Sequence, residues 1–143
     1  MPIIFLVDVY GILNSADFFR GISEASLRSL AAACIPKRLE KRRILFREGQ
    51  EGDSLYILAE GSVQLYKSAE DGREVVIRTL KPGEIFGEVV LFEAGRYPAS
   101  AVTLAPSVLL RLTRLQVDCL LASGEFRGDF IAMLMRKQRY LAE

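Results

Sequence analysis

Between residues 36 and 112, short apolar or alternating runs are separated by turns that contain glycine. The runs span 44–47, 54–59, 62–68, 74–80, 84–86, 99–104 and 108–112, and glycine stands at positions 49, 52, 61, 72 and 83. Short strands at this regular spacing are typical of all-β sandwiches, jelly rolls and barrels. The spacing therefore predicts a β-barrel or jelly roll over the central part of the chain.

Two of these runs alternate in a way that indicates strands with one buried face. In the first, Val63 and Leu65 are separated by a polar residue, and in the second Val75 and Ile77 lie two residues apart. Alternate side chains of a strand point to opposite faces of the sheet, so we expect these four side chains to face a core. Asp71-Gly72 between the two runs is a strong β-hairpin signal.

Helical patterns flank the predicted barrel on both sides. Residues 23–34 predict a short helix, because Ser23 can cap it and apolar residues recur at the helical period. Residues 115–122 predict a second helix, and a third runs from about residue 125 to the end of the sequence. The first ten residues are apolar but lack the features of a signal peptide, so we expect a strand or arm packed on the body or on a partner.

These segments predict one domain over residues 1–143. Its parts are an N-terminal arm and helix (about 1–35), a β-barrel (36–112) and C-terminal helices (113–143). The last helix reaches the end of the sequence without a stop signal, so we expect the native protein to continue. No stretch is long and apolar enough to cross a bilayer, and we expect a cytoplasmic protein with no membrane partner.

Composition removes several classes of function. The chain has no histidine, and its two cysteines, Cys34 and Cys119, are far apart in sequence. Most zinc, haem and iron–sulfur ligand sets are thereby excluded, as are the common Ser-His-Asp and Cys-His triads. We therefore predict no metal site and no enzymatic activity. The net charge of +1 gives no general attraction to nucleic acid, so we do not expect this segment to grip DNA itself.

The strongest functional signal lies between Phe86 and Ala101. A strand ends at Phe86, a single helical turn starts at Gly87, and the chain re-enters a strand at Ala99. The first amides of such a turn have no partners within it and point at whatever lies at its N-terminus. Gly87 lets a ligand approach the backbone closely. Glu88 places a carboxylate where it can accept hydrogen bonds from sugar hydroxyls.

With these residues in place, the sequence resembles the cyclic-nucleotide-binding domain superfamily over nearly the whole chain. It is most similar to the N-terminal effector domain of CRP/FNR-family transcription regulators. The resemblance implies a mainly-β fold with flanking helices, namely a double-stranded β-helix (jelly-roll) barrel with an N-terminal helix and a C-terminal dimerisation helix. The phrases that carry it are Leu45-Phe46-Arg47-Glu48-Gly49, Gly52-Asp53-Ser54-Leu55-Tyr56-Ile57-Leu58, Glu60-Gly61-Ser62-Val63 and Leu80-Lys81-Pro82-Gly83-Glu84-Ile85-Phe86-Gly87-Glu88.

The resemblance implies that the turn after Gly87 is a phosphate-binding cassette. Glu88 would bind the ribose 2′-hydroxyl, and the cassette amides would bind the cyclic phosphate. The ligand would be a cyclic nucleotide or another small effector. The ligand-binding residues expected on this basis are Gly87, Glu88, Val89, Val90, Arg96, Ala99 and Ser100.

This sequence departs from the family pattern at the arginine that neutralises the phosphate. Binders of cyclic AMP (cAMP) usually carry it immediately before the small pair that opens the next strand, here Ser100-Ala101, and this chain has Ala99 there. Arg96 is the nearest candidate, and it either reaches the phosphate through the loop or is a surface residue. The stretch is more similar to family members that do not use cAMP, so we expect weak or absent cAMP binding.

The terminal helix carries an apolar stripe that favours association. The resemblance implies a long helix that forms a two-stranded coiled coil and leads to a helix-turn-helix domain. The alternative is that the stripe packs on the barrel. We predict a homodimer through this helix, with DNA bound only through a domain absent from this chain. The predicted interface residues are Phe126, Phe130, Met133, Leu134, Lys137 and Leu141.

Two functions are consistent with this sequence. The first is a small-effector-sensing regulatory domain of a dimeric CRP/FNR-type regulator, in which ligand binding in the barrel is coupled to the C-terminal helix. The second is a cyclic-nucleotide-binding regulatory module of an enzyme or a channel.

Overall fold

The computed structural model describes residues 7–91 and 95–142, with side chains as far as Lys137. The helices are α1 (Val9–Ser15), α2 (Glu24–Ala33), α3 (Arg114–Leu120) and α4 (Gly124–Ala142), and 3₁₀ turns span Asp17–Phe19 and Glu88–Leu91. The strands are β1 (Ile35–Leu39), β2 (Ile44–Phe46), β3 (Ser54–Glu60), β4 (Val63–Ser68), β5 (Glu74–Leu80), β6 (Ile85–Phe86), β7 (Ser100–Thr103) and β8 (Ser107–Thr113).

These strands form two four-stranded antiparallel sheets. One has the order β1-β8-β3-β6, and the other has the order β2-β7-β4-β5. Helices flank the strands in the sequence on both sides, with α1 and α2 before them and α3 and α4 after them. This antiparallel sandwich confirms the predicted mainly-β fold with flanking helices.

The inner strands β3 and β8 of the first sheet are buried on both of their faces. Leu55 and Ile57 belong to a core shared with the helices, whereas Tyr56 and Leu58 belong to the core between the two sheets. Because neither face meets solvent, β3 and β8 are near-continuous apolar runs rather than alternating ones. The helices contribute Leu13, Leu27, Leu30, Val117, Phe126, Phe130 and Met133 to the first of these cores.

The edge strand β5 differs from its prediction. Val75, Val76 and Ile77 are 47%, 54% and 53% exposed, so the expectation that Val75 and Ile77 face a core is wrong. The strand lies at the end of its sheet and pairs only with β4. In β4 the prediction is better, since Val63 is fully buried and Leu65 is half-buried.

Local signals in the sequence place several of the elements correctly. Ser23 accepts a hydrogen bond from the Ser26 amide and caps α2, which confirms the predicted helix. A turn at Asp71 and Gly72 joins β4 to β5, and Gly72 has a φ of +86°, a conformation that glycine adopts without strain.

The N-terminal region was predicted less well. Residues 9 and 10 begin helix α1, which Asp8 caps by accepting from the Gly11 amide, rather than a strand or an arm. The remainder of that prediction, residues 1–6, lies outside the described residues. Strand β1 contains Pro36 and lacks an apolar alternation, which is tolerated because β1 lies at a sheet edge.

The double burial predicts where substitutions destabilise the fold. Leu110 of β8 is fully buried in the core shared with the helices, so we expect Leu110→Ala to lower the free energy of unfolding by about 2–5 kcal/mol. Ile77→Ala is the matched control on the exposed strand β5, with an expected change within about 0.5 kcal/mol. Urea unfolding followed by circular dichroism measures both, and equal losses would contradict this division of the core.

Candidate functional site

A small cavity of about 150 Å³ lies beside the turn that follows β6. Four of the predicted ligand-binding residues line it, namely Gly87, Glu88, Val89 and Ala99. Most of the wall is apolar, and charged side chains enter from Glu88 and Lys137. The other lining residues are Phe46, Leu65, Phe86, Tyr97 and Pro98.

A larger cleft of about 390 Å³ lies elsewhere, between the first 3₁₀ turn, the turn before β6 and Arg136. It is lined by none of the predicted ligand-binding residues, and its charged groups are largely used within the chain. Glu84, for example, is paired with Arg78 and accepts from the Lys81 amide. The smaller cavity is therefore the candidate site, because it holds the cassette residues.

Backbone geometry at Gly87 starts the cassette turn. Its φ is +79°, so a residue with a side chain would be strained there. A Cβ at this position would also lie 3.4 Å from the Tyr97 ring and 3.5 Å from the Ser54 carbonyl oxygen. The turn that follows is a 3₁₀ turn, Glu88–Leu91, and Arg114 donates a hydrogen bond to the Val90 carbonyl within it.

The Tyr97 ring forms part of the cavity wall. It stacks on Phe46 with ring centroids 3.7 Å apart and planes 9° from parallel. Its hydroxyl donates to the Ser54 carbonyl oxygen at 2.9 Å, which fixes the ring in place. Gly52 makes room for this ring, since a Cβ there would lie 2.1 Å from it. Tyr97 is thus a fixed part of the cavity wall.

The polar centre of the cavity is an ion pair between the cassette and the last helix. Lys137 of α4 donates to the Glu88 carboxylate and, at 2.8 Å, to the Ile85 carbonyl oxygen. The side chains of Lys137 and Glu88 are only 12% and 17% exposed. The carboxylate expected to bind a ligand is thus already bound by a residue of the C-terminal helix.

Three predicted ligand-binding residues lie away from the cavity. Arg96 donates to the Gly49 carbonyl oxygen at 2.8 Å and pairs with Glu51 at the surface. Val90 is fully buried in the core between the sheets. Ser100 is buried, and its hydroxyl accepts from the Glu48 amide at 2.8 Å. The contacts of Arg96 place it at the surface, which was the alternative to phosphate binding.

Most of the stripe predicted as a dimer interface packs within this chain. Phe126, Phe130 and Met133 are buried in the core shared with the helices, and Leu134 packs partly against it. They leave little surface for a partner, which favours the alternative that the stripe covers the barrel. Lys137 ends the same stripe at the cavity, and the Leu141 side chain lies outside the described residues.

Sequence reasoning missed Lys137 and Tyr97 as cavity residues. A signal for Lys137 is present, because one lysine continues a stripe of apolar core positions at helical spacing and a buried ammonium needs an acceptor. No comparable signal marks Tyr97, since its position depends on the loop that pairs with it through Gly49 and Gln50.

The described residues contain neither a metal-ligand cluster nor a helix suited to a membrane. Among them no group of three or more potential ligand side chains is arranged to hold a metal ion. None of the helices in this part of the chain combines the length and the hydropathy that crossing a membrane requires.

Comparison with known proteins gives matches over most of the chain. The family model described as cyclic nucleotide-binding domain matches residues 36–124. The cyclic AMP receptor protein of Thermus thermophilus is 30% identical over 125 residues, which are 87% of this chain and 51% of that protein. The CRP-like cAMP-activated global transcriptional regulator of Mycobacterium tuberculosis is 33% identical over 93 residues, 65% of this chain and 42% of that protein. The chain thus spans about half the length of the curated relatives it matches.

Solved structures share the same fold. The N-terminal domain of a transcriptional regulator from Streptomyces coelicolor has a TM-score of 0.79 and 28% identity, covering 92% of each chain. A mutant regulatory subunit of a cAMP-independent protein kinase A from Trypanosoma brucei, bound to cAMP in its A site, has a TM-score of 0.78 and 26% identity. That match covers 91% of this chain and 46% of the other.

Because the Tyr97 hydroxyl is buried, we expect the folding stability of the domain to fall at alkaline pH. Burial, and secondarily the neighbouring Tyr56, raises the pKa of Tyr97 to about 12, whereas a tyrosine in the unfolded chain has a pKa of about 10. The phenol therefore favours the folded state fully below about pH 10, and this contribution is lost as the pH rises towards 12.

Tyr97→Phe tests this dependence. At neutral pH we expect the variant to be less stable by about 1 kcal/mol, because the hydrogen bond to Ser54 is lost. The unfolding free energy of the wild type should fall relative to that of the variant from about pH 10 to 12, as measured by urea unfolding. Parallel pH profiles for the two proteins would contradict a buried, protonated Tyr97.

Proposed function

The chain belongs to the cyclic nucleotide-binding domain family, and from that premise we propose that it is the effector-sensing domain of a CRP/FNR-type transcription regulator. The observation that carries the proposal is the ion pair between Glu88 in the cassette and Lys137 in α4. A ligand bound over Glu88 would meet the terminal helix directly, and that helix would pass the change onward.

The relatives support a regulatory role. Both curated relatives described above bear names of cAMP-linked regulators or receptors, and the Streptomyces structure is the N-terminal domain of a transcriptional regulator. This chain matches about half of the length of the two curated proteins, so its contact with DNA is proposed to pass through a separate domain. The predicted cytoplasmic location and the absence of catalysis stay predictions.

We propose that the effector is a small molecule other than cAMP. Ala99 provides no guanidinium at the phosphate end of the cavity, and Arg96 is bound to Gly49 at the surface. Tyr97 and Lys137 occupy space that a larger ligand would need.

The second candidate is a regulatory module of an enzyme or a channel. The match to the regulatory subunit of a protein kinase from Trypanosoma brucei favours it, because that protein has the same fold and is described as part of a kinase. The coding sequence beyond residue 143 decides between the two. A helix-turn-helix within a few dozen residues supports the regulator, and a catalytic domain or membrane spans support the module.

Binding of cAMP tests the effect of having alanine instead of arginine at position 99. We expect titration calorimetry to show affinity for the wild-type chain weaker than about 1 mM. Ala99→Arg should raise that affinity by at least about tenfold, because a guanidinium bound to phosphate forms a strong, charge-assisted pair. The Trypanosoma brucei protein bound to cAMP carries three substitutions, one of which replaces a threonine with arginine.

The control for this test adds an arginine elsewhere. Leu115→Arg lies on α3, where Leu115 is exposed and does not line the cavity, and it should leave cAMP affinity unchanged. Micromolar affinity in the wild-type chain that Arg96→Ala abolishes would overturn the proposal, because it would show that the displaced arginine binds the phosphate.

We propose that dimerisation uses the outer face of α4. Ile131 and Met135 lie one turn apart on this helix and are 53% and 58% exposed, opposite the stripe that packs into the core. A second copy would bury these side chains in a symmetric helix pair.

Sedimentation equilibrium tests the dimer. Met135→Glu should weaken self-association at least about tenfold, because it places a charge in the centre of the helix pair. Leu115→Glu, an exposed apolar position on α3, is the control and should have no effect. A wild-type chain that stays monomeric at high concentration would contradict dimerisation through α4.

A further inference from the structure

The ion pair between Lys137 and Glu88 differs from the others in the described part of the chain. It is the one in which both side chains are less than 20% exposed. Most of the remaining pairs join residues close in sequence, whereas this pair joins positions 49 residues apart. Charges held this far from water need a partner, because an unpaired charge is costly when buried.

Lys137 also fills a specific place in the cavity. Its ammonium group donates both to the Glu88 carboxylate and to the carbonyl oxygen of Ile85, the residue at the start of β6. The same side chain is part of the cavity wall. The carboxylate is therefore satisfied by a donor from within the chain.

We propose that Lys137 is a built-in competitor for the effector, and that a ligand reaches Glu88 by displacing the ammonium group and releasing the end of α4. This inference rests on the proposed function, because it assumes that the cavity over Glu88 is the effector site. The displacing ligand must replace the lost donors, so it carries hydroxyl or amine groups. Its remaining surface is apolar, to match Phe46, Phe86 and Val89.

The release is confined to the end of the helix. Phe126, Phe130 and Met133 anchor the first part of α4 in the core whether or not Lys137 is bound. Beyond them, the contacts that hold α4 include Lys137 at the cavity and Arg136, which donates to the Arg20 carbonyl. Displacement of Lys137 removes a polar contact between the helix and the cassette, and the change is carried past Met133 along the chain.

Hydrogen exchange without any ligand tests the competitor directly. Lys137→Met keeps the length of the side chain but removes its charge, and Glu88→Gln keeps the shape of the acceptor. Either change should speed amide exchange in α4 beyond Met133 by about tenfold, while exchange in β3 and β8 stays at the wild-type rate. The double variant should show no more than either single change, because both remove one contact.

Lys81→Met is the matched control. Lys81 is an exposed lysine outside the cavity, and its replacement should leave α4 exchange unchanged. Wild-type exchange rates in α4 for both Lys137→Met and Glu88→Gln would overturn the proposal. Effects that add in the double variant would overturn it as well, since they would mean that the two residues act separately.

A binding experiment distinguishes competition from ligand contact. Adenosine is the probe, because it brings ribose hydroxyls to Glu88 and carries no phosphate. If Lys137 competes, Lys137→Met should bind adenosine about tenfold more tightly than the wild type in calorimetry, within the usual range of coupling between sites. Equal or weaker binding by the variant would overturn the competition.

Failure of the proposed function has a different signature. If neither protein binds adenosine while the exchange results hold, the contact between α4 and the cassette stands and the cavity is not a site for ribose-bearing ligands. That outcome counts against the proposed effector site. The hydrogen-exchange measurement alone decides whether Lys137 and Glu88 hold the end of α4 to the cassette.

Discussion

The arrangement of this domain depends on three strands of one sheet that are buried on both faces. Strands β3, β6 and β8 meet the helices on one side and the second sheet on the other. At β6 the two cores come within one residue of each other, because Ile85 belongs to the first and Phe86 to the second. The chain must then leave the sheet, and Gly87 permits the sharp turn with a φ of +79°. The cavity lies where the chain leaves the sheet at Gly87, within reach of α4.

The position of α4 follows from the same double burial. Its apolar stripe covers the sheet, and the next residue of the stripe, Lys137, arrives at the end of β6. A lysine is tolerated there because the Ile85 carbonyl and the Glu88 carboxylate both accept from it. The packing that stabilises the fold thus also brings the terminal helix to the cassette, and no separate structure is needed to connect them.

Sequence alone predicted the parts of this molecule that depend on local signals. Ser23 and Asp71-Gly72 act over a few residues, so the helix that the first begins and the turn that the second forms were placed correctly. Burial was harder to predict, because it depends on neighbours distant in sequence. Val75 and Ile77 alternate like buried residues, yet β5 lies at a sheet edge and leaves them exposed.

The site, too, could be predicted only in part, because some of its residues follow from a local motif and others from tertiary packing. Gly87 and Glu88 belong to a local motif, and the structure places both at the cavity. The apolar stripe of α4 was visible in the sequence, but whether it faces a partner or the barrel depends on tertiary packing. Since Lys137 shares that stripe, its contact with Glu88 could be found only when the helix was placed against the sheet.

Membership of a family and identity of a ligand rest on different residues here. The backbone turn at Gly87 and the carboxylate of Glu88 give the cavity its family character. Its size and charge are set by residues from elsewhere, since Tyr97 is fixed by the Ser54 carbonyl and the stacked Phe46 ring, and the cation comes from α4. A positive charge supplied by a helix can leave the site when the helix moves, whereas an arginine on the cassette strand would remain. This difference favours a ligand that replaces the cation over one that is neutralised by it.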